Sequence, residues 1–182
     1  MVQLSKADKW KAAATVTAVA AIAWGVDAVT KHAALSGLAD KPNHAAIGIP
    51  HVLYFILGTN YGGSNGICPP QFAEFCLALP AVIMFLAAMW VGRQLRNGTP
   101  LTLPQQIGFG LFLGGALANW AERVLYHGVT DFIFLQPFGF CIFNLADIFI
   151  DLGYTTLIAS FAINILRRDG NLQPKNSSAR IF

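Results

Sequence analysis

Three aspartates in the carboxyl-terminal half of the chain are the residues best suited to chemistry. Asp147 and Asp151 lie in an otherwise apolar stretch, and Asp131 precedes them. A carboxylate at bilayer depth costs about 2.5 to 3.5 kcal/mol on insertion scales, so such acids are candidates for a functional site. Two adjacent carboxyl groups cannot both ionise cheaply, and they share one proton. Such a pair can activate water while protonating an amide carbonyl, which is aspartic peptide hydrolysis without a metal.

The second member of the pair with Asp131 is open on spacing alone. If the fourth apolar helix begins near Cys141, Asp147 lies about one and a half turns inside it. Asn144 precedes Asp147 on the same helical face and is expected to orient its carboxyl group or to bind a substrate backbone. Asp151 shares this face, so the spacing does not choose between Asp147 and Asp151.

The elements that position these acids are predicted to be membrane helices. The chain has 182 residues, of which 55% are hydrophobic and 12% charged, too few polar residues for a soluble globule. The prediction is an all-α membrane protein with one domain over residues 1–170 and a flexible cytoplasmic tail over 171–182. Four stretches are predicted to reach the roughly 18 to 20 residues needed to span a bilayer: Ala12–Val29, Phe72–Val91, Leu103–Asn119 and Cys141–Leu166.

Basic residues predict the orientation. In a four-pass arrangement most lysines and arginines fall on one side, which places both termini in the cytoplasm and Asp131 outside. The net charge of +3 follows from this bias, and no basic stripe interleaved with aromatic residues indicates nucleic-acid binding. The alternative, a cleaved amino-terminal signal, is less favoured because the first apolar run continues to Val29.

Other patterns concern the outer segments. Val52–Leu57 followed by the glycine-rich run 58–66 predicts a strand and a turn. Within that run, Ser64 matches a G-x-S-x-G nucleophile pattern, but prolines follow where an elbow would need a helix. Cys68 and Cys141 both fall on the outer side, where a disulfide could form. The four histidines lack metal-ligand spacing, so no metal is expected.

The end of the third apolar run is also informative. Gly110 and Gly114 form a small-residue ridge that is expected to allow close helix packing. Asn119, Glu122 and Arg123 then share one face, either as functional residues or as side chains reaching the membrane interface. Arg123, like Lys31, is also an alternative ion-pair partner for Asp147.

These residues resemble the lipoprotein signal peptidases, the type II signal peptidases of bacterial inner membranes. The family pattern V-x-D-F is present at 129–132 and F-N-x-A-D-x-x-I at 143–150, and together they select Asp131 and Asp147 as the aspartate pair. Three patterns depart from the family. D-Q-x-x-K lacks its glutamine at 27–31, and N-x-G-x-A-F lacks its phenylalanine at 60–65. G-N-x-x-D-R has Ala118 in place of glycine and Glu122 in place of aspartate.

The resemblance implies four helices with a small periplasmic β cradle, and cleavage of prolipoproteins before a cysteine that carries diacylglycerol. It implies an inner-membrane enzyme without a cofactor, whose partners are diacylated prolipoproteins, membrane lipids and the family's cyclic-peptide inhibitors. The carried-over residues fall into three groups: catalytic Asp131 and Asp147; substrate-binding Asn60, Gly62, Asn119, Arg123, Asn144 and Ala146; and supporting charges Asp27, Lys31 and Glu122.

Two alternatives belong to other functional classes. The departures from the family patterns are also compatible with a catalytically silent protein that binds lipoproteins or signal peptides. A proton-linked transporter would use Asp27, Asp147 and Asp151 as a relay.

Overall fold

The computed structural model describes residues 5–62, 73–99, 101–139 and 142–170. The predicted turn at 63–66 with Ser64, the pairing of Cys68 with Cys141, and the tail at 171–182 lie outside these residues. The helices are α1 (Lys6–Leu38), α2 (Ala73–Asn97), α3 (Leu103–Tyr126) and α4 (Leu145–Gly170). The strands are β1 (Ala45–Ile49), β2 (Leu53–Asn60), β3 (Val129–Leu135) and β4 (Ile142–Phe143).

Helix α3 lies at the centre of the helical part and packs against the other three helices. The predicted small-residue ridge is confirmed as packing. A Cβ atom added at Gly110 would lie 2.6 Å from the Val19 side chain of α1, and one added at Gly115 would lie 2.5 Å from the carbonyl oxygen of Ala146 in α4. The glycines therefore let both helices approach the α3 backbone.

Among the helices of the described ranges, three are long and apolar enough to cross a membrane: α1, the segment Leu77–Asn97 of α2, and the segment Leu145–Leu166 of α4. The expectation of four such spans is met for these three and not for α3. Gln105 and Asn119 of α3 are buried inside the protein. Because α3 packs against all three of the other helices, the face that carries these polar residues does not have to match lipid.

The strands form one antiparallel sheet in the order β1-β2-β3-β4. The predicted strand at Val52–Leu57 is present as β2, shifted by a few residues. The sequence predicts no strand between the third and fourth apolar runs, yet β3 lies there and pairs with β2. In this pairing Gly58 lies opposite Asp131, and Asn60 lies opposite Val129. The register brings Asn60 and Asp131 to the same end of the sheet.

Two predicted helix boundaries also differ from the structure. Helix α1 does not end at Val29 but continues to Leu38, and Ala34 and Leu38 pack against Phe132 of β3. Helix α4 begins at Leu145 rather than near Cys141, since Ile142 and Phe143 pair with β3. The apolar run therefore contains a strand as well as a helix.

The close contact between α3 and α4 predicts a strong effect of Gly153→Ala. A Cβ atom there would lie 2.6 Å from the backbone nitrogen of Phe112 and 2.8 Å from the carbonyl oxygen of Gly108, and backbone cannot move aside locally. We expect the free energy of unfolding in detergent to fall by about 1 to 3 kcal/mol.

Gly92→Ala in α2 is the matched control, because a Cβ atom at that position meets nothing within 4 Å. It should leave the unfolding midpoint unchanged or raise it slightly, since alanine is the better helix former. Equal midpoints for the two variants would contradict the packing account.

Candidate active site

The site is built around the first turn of α4. The Asn144 backbone N–H donates to Asp147 Oδ2 at 3.2 Å, and the Asp147 backbone N–H donates to Asn144 Oδ1 at 3.0 Å. This reciprocal pair is the arrangement of a capping box, with Asn144 as the cap. Asp147 thus lies in the first turn of α4, not one and a half turns inside it. The positive end of the helix dipole favours a carboxylate there.

The same asparagine side chain also holds the other acid. Asn144 Nδ2 donates to Asp131 Oδ1 at 2.6 Å, and Asn144 is completely buried. One side chain therefore accepts a bond from the backbone of Asp147 and donates a bond to the carboxyl group of Asp131. Strand β3 and helix α4 meet at this amide, and the structure brings the two predicted aspartates together there.

Asn119 of α3 reaches Asp147 from a second direction. Its Nδ2 donates to Asp147 Oδ1 at 2.9 Å, and its Oδ1 accepts a bond from Lys31 Nζ at 2.9 Å. Because the ammonium group of Lys31 can only donate, it must face the amide oxygen. Lys31 thereby turns the amide nitrogen of Asn119 toward Asp147.

Asp27, Lys31 and Glu122 form a buried charge cluster, called here the Lys31 cluster. Lys31 Nζ lies 2.8 Å from Asp27 Oδ2 and 2.8 Å from Glu122 Oε2. With Asn119, these contacts give the three N–H donors of Lys31 three acceptors. Within the described ranges Lys31 forms ion pairs with Asp27 and Glu122 and not with Asp147. The alternative of a Lys31–Asp147 ion pair is therefore wrong.

Asp27 also stabilises the start of α4. Its Oδ1 accepts a bond from the backbone N–H of Ala146 at 2.8 Å, which satisfies an N–H group that the helix itself leaves free. Ala146 is completely buried. The backbone N–H of Ala146 therefore already has a partner within the protein. A contact between Ala146 and the substrate stays a prediction.

Arg123 organises the turn that follows β2. Its Nε and Nη2 atoms donate to the carbonyl oxygen of Gly62 at 3.2 and 3.1 Å. The backbone N–H of Gly62 donates in turn to Asn60 Oδ1 at 3.0 Å, and the Asn60 side chain bonds Asp131. The guanidinium of Arg123 thus fastens the end of β2 beside Asp131, a contact that a side chain merely reaching for the interface would not make.

The remaining candidates lie elsewhere. Asp151 is exposed, one turn beyond Asp147, and takes no part in the hydrogen bonds described above.

Thr130 also belongs to the site, although the sequence did not predict it. Its hydroxyl donates to Glu122 Oε1 at 2.6 Å. Only its place next to Asp131 could have drawn attention to it.

Electrostatics distinguish Asp131 from an ordinary surface acid. Burial raises the pKa of Asp131 to about 6, and the neighbouring negative charge of Asp147 acts in the same direction. Hydrogen bonds from Asn60 and Asn144 and the positive charge of Lys31 oppose this increase in pKa. The Asp131 carboxyl group can therefore hold a proton at a pH where ordinary aspartates have lost theirs.

Known proteins resemble this chain in both sequence and fold. The sequence profile of a family described as signal peptidase (SPase) II matches residues 19–163. The lipoprotein signal peptidase of Gloeothece citriformis is 31% identical over an alignment covering 79% of this chain and 86% of that protein. That of Geobacillus kaustophilus is 32% identical over 68% of this chain and 78% of that protein.

Other alignments are shorter. The lipoprotein signal peptidase of Bartonella henselae is 30% identical over 54% of this chain, and the chain spans only 60% of the length of that relative. Among solved structures, a bacterial membrane enzyme determined by the in meso method at 2.3 Å resolution superposes with a TM-score of 0.68 and 26% identity. That superposition covers 91% of this chain and 95% of the other.

A titration of the carboxyl groups tests the electrostatics. We expect the infrared band of a protonated carboxyl group to disappear as the pH rises through about 6, and to be missing in Asp131→Asn. Asp147→Asn should move this loss to lower pH, because it removes a negative charge that raises the pKa of Asp131. An unchanged titration in Asp147→Asn would contradict the coupling.

The same shift fixes the sign of the effect on stability. Because the pKa of Asp131 is higher in the folded protein than its ordinary value of 3.8, folding favours the protonated form. Its contribution to stability is complete below that ordinary value and is lost as the pH rises through about 6. Asp131→Asn should flatten this part of the stability profile.

Proposed function

The chain belongs to the signal peptidase II family, and from that premise we propose that it is an aspartic endopeptidase acting on diacylglyceryl-modified prolipoproteins. It removes the signal peptide by cleaving before the lipidated cysteine. The observation that carries the proposal is that buried Asn144 donates to both carboxyl groups, from its side chain to Asp131 and from its backbone N–H to Asp147. Such a pair has the properties needed for metal-free hydrolysis of a peptide bond.

The hydrogen bonds suggest a division of roles within the pair. Both oxygens of Asp147 accept bonds from N–H donors, Asn119 Nδ2 and the Asn144 backbone, at the amino end of α4. These hydrogen bonds stabilise the ionised form of Asp147, which is proposed to act as the base. The raised pKa of Asp131 suits it to hold the shared proton and act as the acid.

The proposed reaction then needs no covalent intermediate. Asp147 takes a proton from a water molecule as its oxygen attacks the scissile carbonyl carbon, and Asp131 donates its proton to the carbonyl oxygen. The tetrahedral intermediate collapses when its C–N bond breaks and the proton held by Asp147 passes to the leaving amine. Asp131 recovers its proton from the hydroxyl group of the intermediate as the new carboxyl group forms. The pair ends in its starting state.

The membrane arrangement follows from the helices. We propose that α3 crosses the bilayer together with the three apolar helices, because its buried polar groups face protein and not lipid. Lys9 Nζ of α1 donates to the carbonyl oxygen of Arg96 in α2 at 3.0 Å, which joins these two basic helix ends on one side. The basic ends point to the cytoplasm. The site then faces the periplasmic side of the bacterial inner membrane.

This placement suits a lipid-anchored substrate. Diacylglycerol on the cysteine keeps the scissile bond at the membrane surface, where Asp131 and Asp147 can reach it without extracting the substrate. Asn60, Asn119 and Arg123 stand around the pair and are proposed to hold substrate carbonyl groups and the tetrahedral intermediate, and Gly62, Asn144 and Ala146 are proposed to contact the substrate as well. Membrane lipids and cyclic-peptide inhibitors remain proposed ligands of the same site.

Substitution of either acid tests the proposal directly. Asp131→Asn and Asp147→Asn should each lower cleavage of a fluorescent diacylated peptide by about a thousandfold, because each removes one half of the acid–base pair. Asp151→Asn is the matched control: it makes the same change at an exposed site on α4, one turn away, and should retain normal turnover. Turnover near that of the wild type in either variant of the pair would overturn the mechanism.

The lipid requirement separates the enzyme from a silent binding protein. The purified protein should cleave the diacylated peptide and leave the same peptide without its lipid uncut, because the unmodified cysteine does not hold the scissile bond at the membrane. Binding of each peptide and formation of the cleavage product are measured in parallel, with the protein held in lipid bicelles. Retained binding without any product would favour the silent binder, and equal cleavage of both peptides would contradict the proposed substrate class.

A further inference from the structure

Thr130, the residue immediately before Asp131, is held from two directions. Its hydroxyl donates to Glu122 Oε1 at 2.6 Å, a short bond of the kind a carboxylate accepts. Its carbonyl oxygen lies 3.4 Å from Asn144 Nδ2. The backbone that carries Asp131 is therefore attached to α3 through a side chain and approaches the cap of α4 through its carbonyl group.

Glu122 is itself fixed at its other oxygen. Its Oε2 atom lies 2.8 Å from Lys31 Nζ, and the ammonium hydrogens can rotate toward this oxygen. Lys31 continues the connection to Asn119, and Asn119 to Asp147.

The two acids are thus linked both by a short route and by a longer one. The short route runs through Asn144, and the longer route runs from Thr130 through Glu122, Lys31 and Asn119 to Asp147. The short route fixes the carboxyl groups against each other. The longer route fixes the strand that carries Asp131 against α3. Two separate sets of contacts therefore determine the distance between β3 and α4.

We propose that Glu122 and Thr130 are a positioning pair that holds strand β3 so that Asp131 meets Asp147 in reactive geometry. This rests on the proposed function. The length of the Glu122 side chain is part of the inference, because its two oxygens reach Lys31 on one side and Thr130 on the other. An aspartate at this position would be one methylene shorter and would lose the contact with Thr130 or move α3.

Thr130→Val tests the pair, because it removes the hydroxyl while keeping the shape of the side chain. We expect kcat for the diacylated peptide to fall about tenfold, with KM within about twofold of the wild type. Thr130→Ser, which restores the hydroxyl, should recover most of the lost kcat. Thr59→Val makes the same substitution directly opposite on β2 and is the matched control, with turnover equal to that of the wild type.

A double variant separates positioning from general loss of stability. Glu122→Asp should lower kcat as Thr130→Val does, and the combination of both should be little worse than the more damaging single change, since both break one contact. Wild-type kcat in Thr130→Val would overturn the inference. So would an equal loss in Thr130→Ser, or a double variant whose losses simply multiply.

An independent readout keeps this inference distinct from the proposed function. If the wild-type protein cleaves no lipidated peptide, the proposed function fails, and the positioning pair is then judged on the infrared band of the protonated Asp131 carboxyl group. Thr130→Val should shift the frequency of this band, because Asp131 moves relative to its donor Asn144. An unshifted band in Thr130→Val would overturn the positioning role.

Discussion

The arrangement depends on one buried amide, the side chain of Asn144. Its oxygen caps α4 by accepting the backbone N–H of Asp147, and its nitrogen donates to the carboxyl group of Asp131. This one planar group thereby holds the start of α4 next to strand β3 and sets the separation of Asp147 and Asp131. Because Asn144 is completely buried, water does not compete for these bonds.

Burying so many polar groups is tolerated because nearly every donor in the network meets an acceptor. Lys31 directs its ammonium group to Asp27, Glu122 and Asn119, and each of these partners holds a different element in place. Asp27 satisfies the start of α4, Glu122 reaches strand β3, and Asn119 reaches Asp147. The charges are therefore part of the folding of the site as well as of its electrostatics, and replacing one partner alone would leave others unpaired.

Much of this could be predicted from the sequence, but not the contacts between elements. Apolar runs located the helices, and motifs selected Asp147 over Asp151, which the structure leaves exposed. Strand β3 was missed because its pairing with β2 joins residues far apart in the chain. The sequence predicts Asn144 inside a helix because the apolar Ile142 and Phe143 precede it, whereas these two residues form β4. Lys31 pairs with Asp27 and not with Asp147 because α1 continues past Val29, which places Asp27 and Lys31 one turn apart on the same helix.

The most direct test of the account is the rate of cleavage of a diacylated peptide by Asn144→Ser, measured together with the stability of the variant. Serine is a good helix cap, so α4 should still begin at the same residue and the unfolding midpoint should change little. Serine cannot reach across to Asp131 with a second donor as the amide does. The account predicts a folded protein whose cleavage rate has collapsed; a folded Asn144→Ser protein that cleaves as fast as the wild type would contradict it.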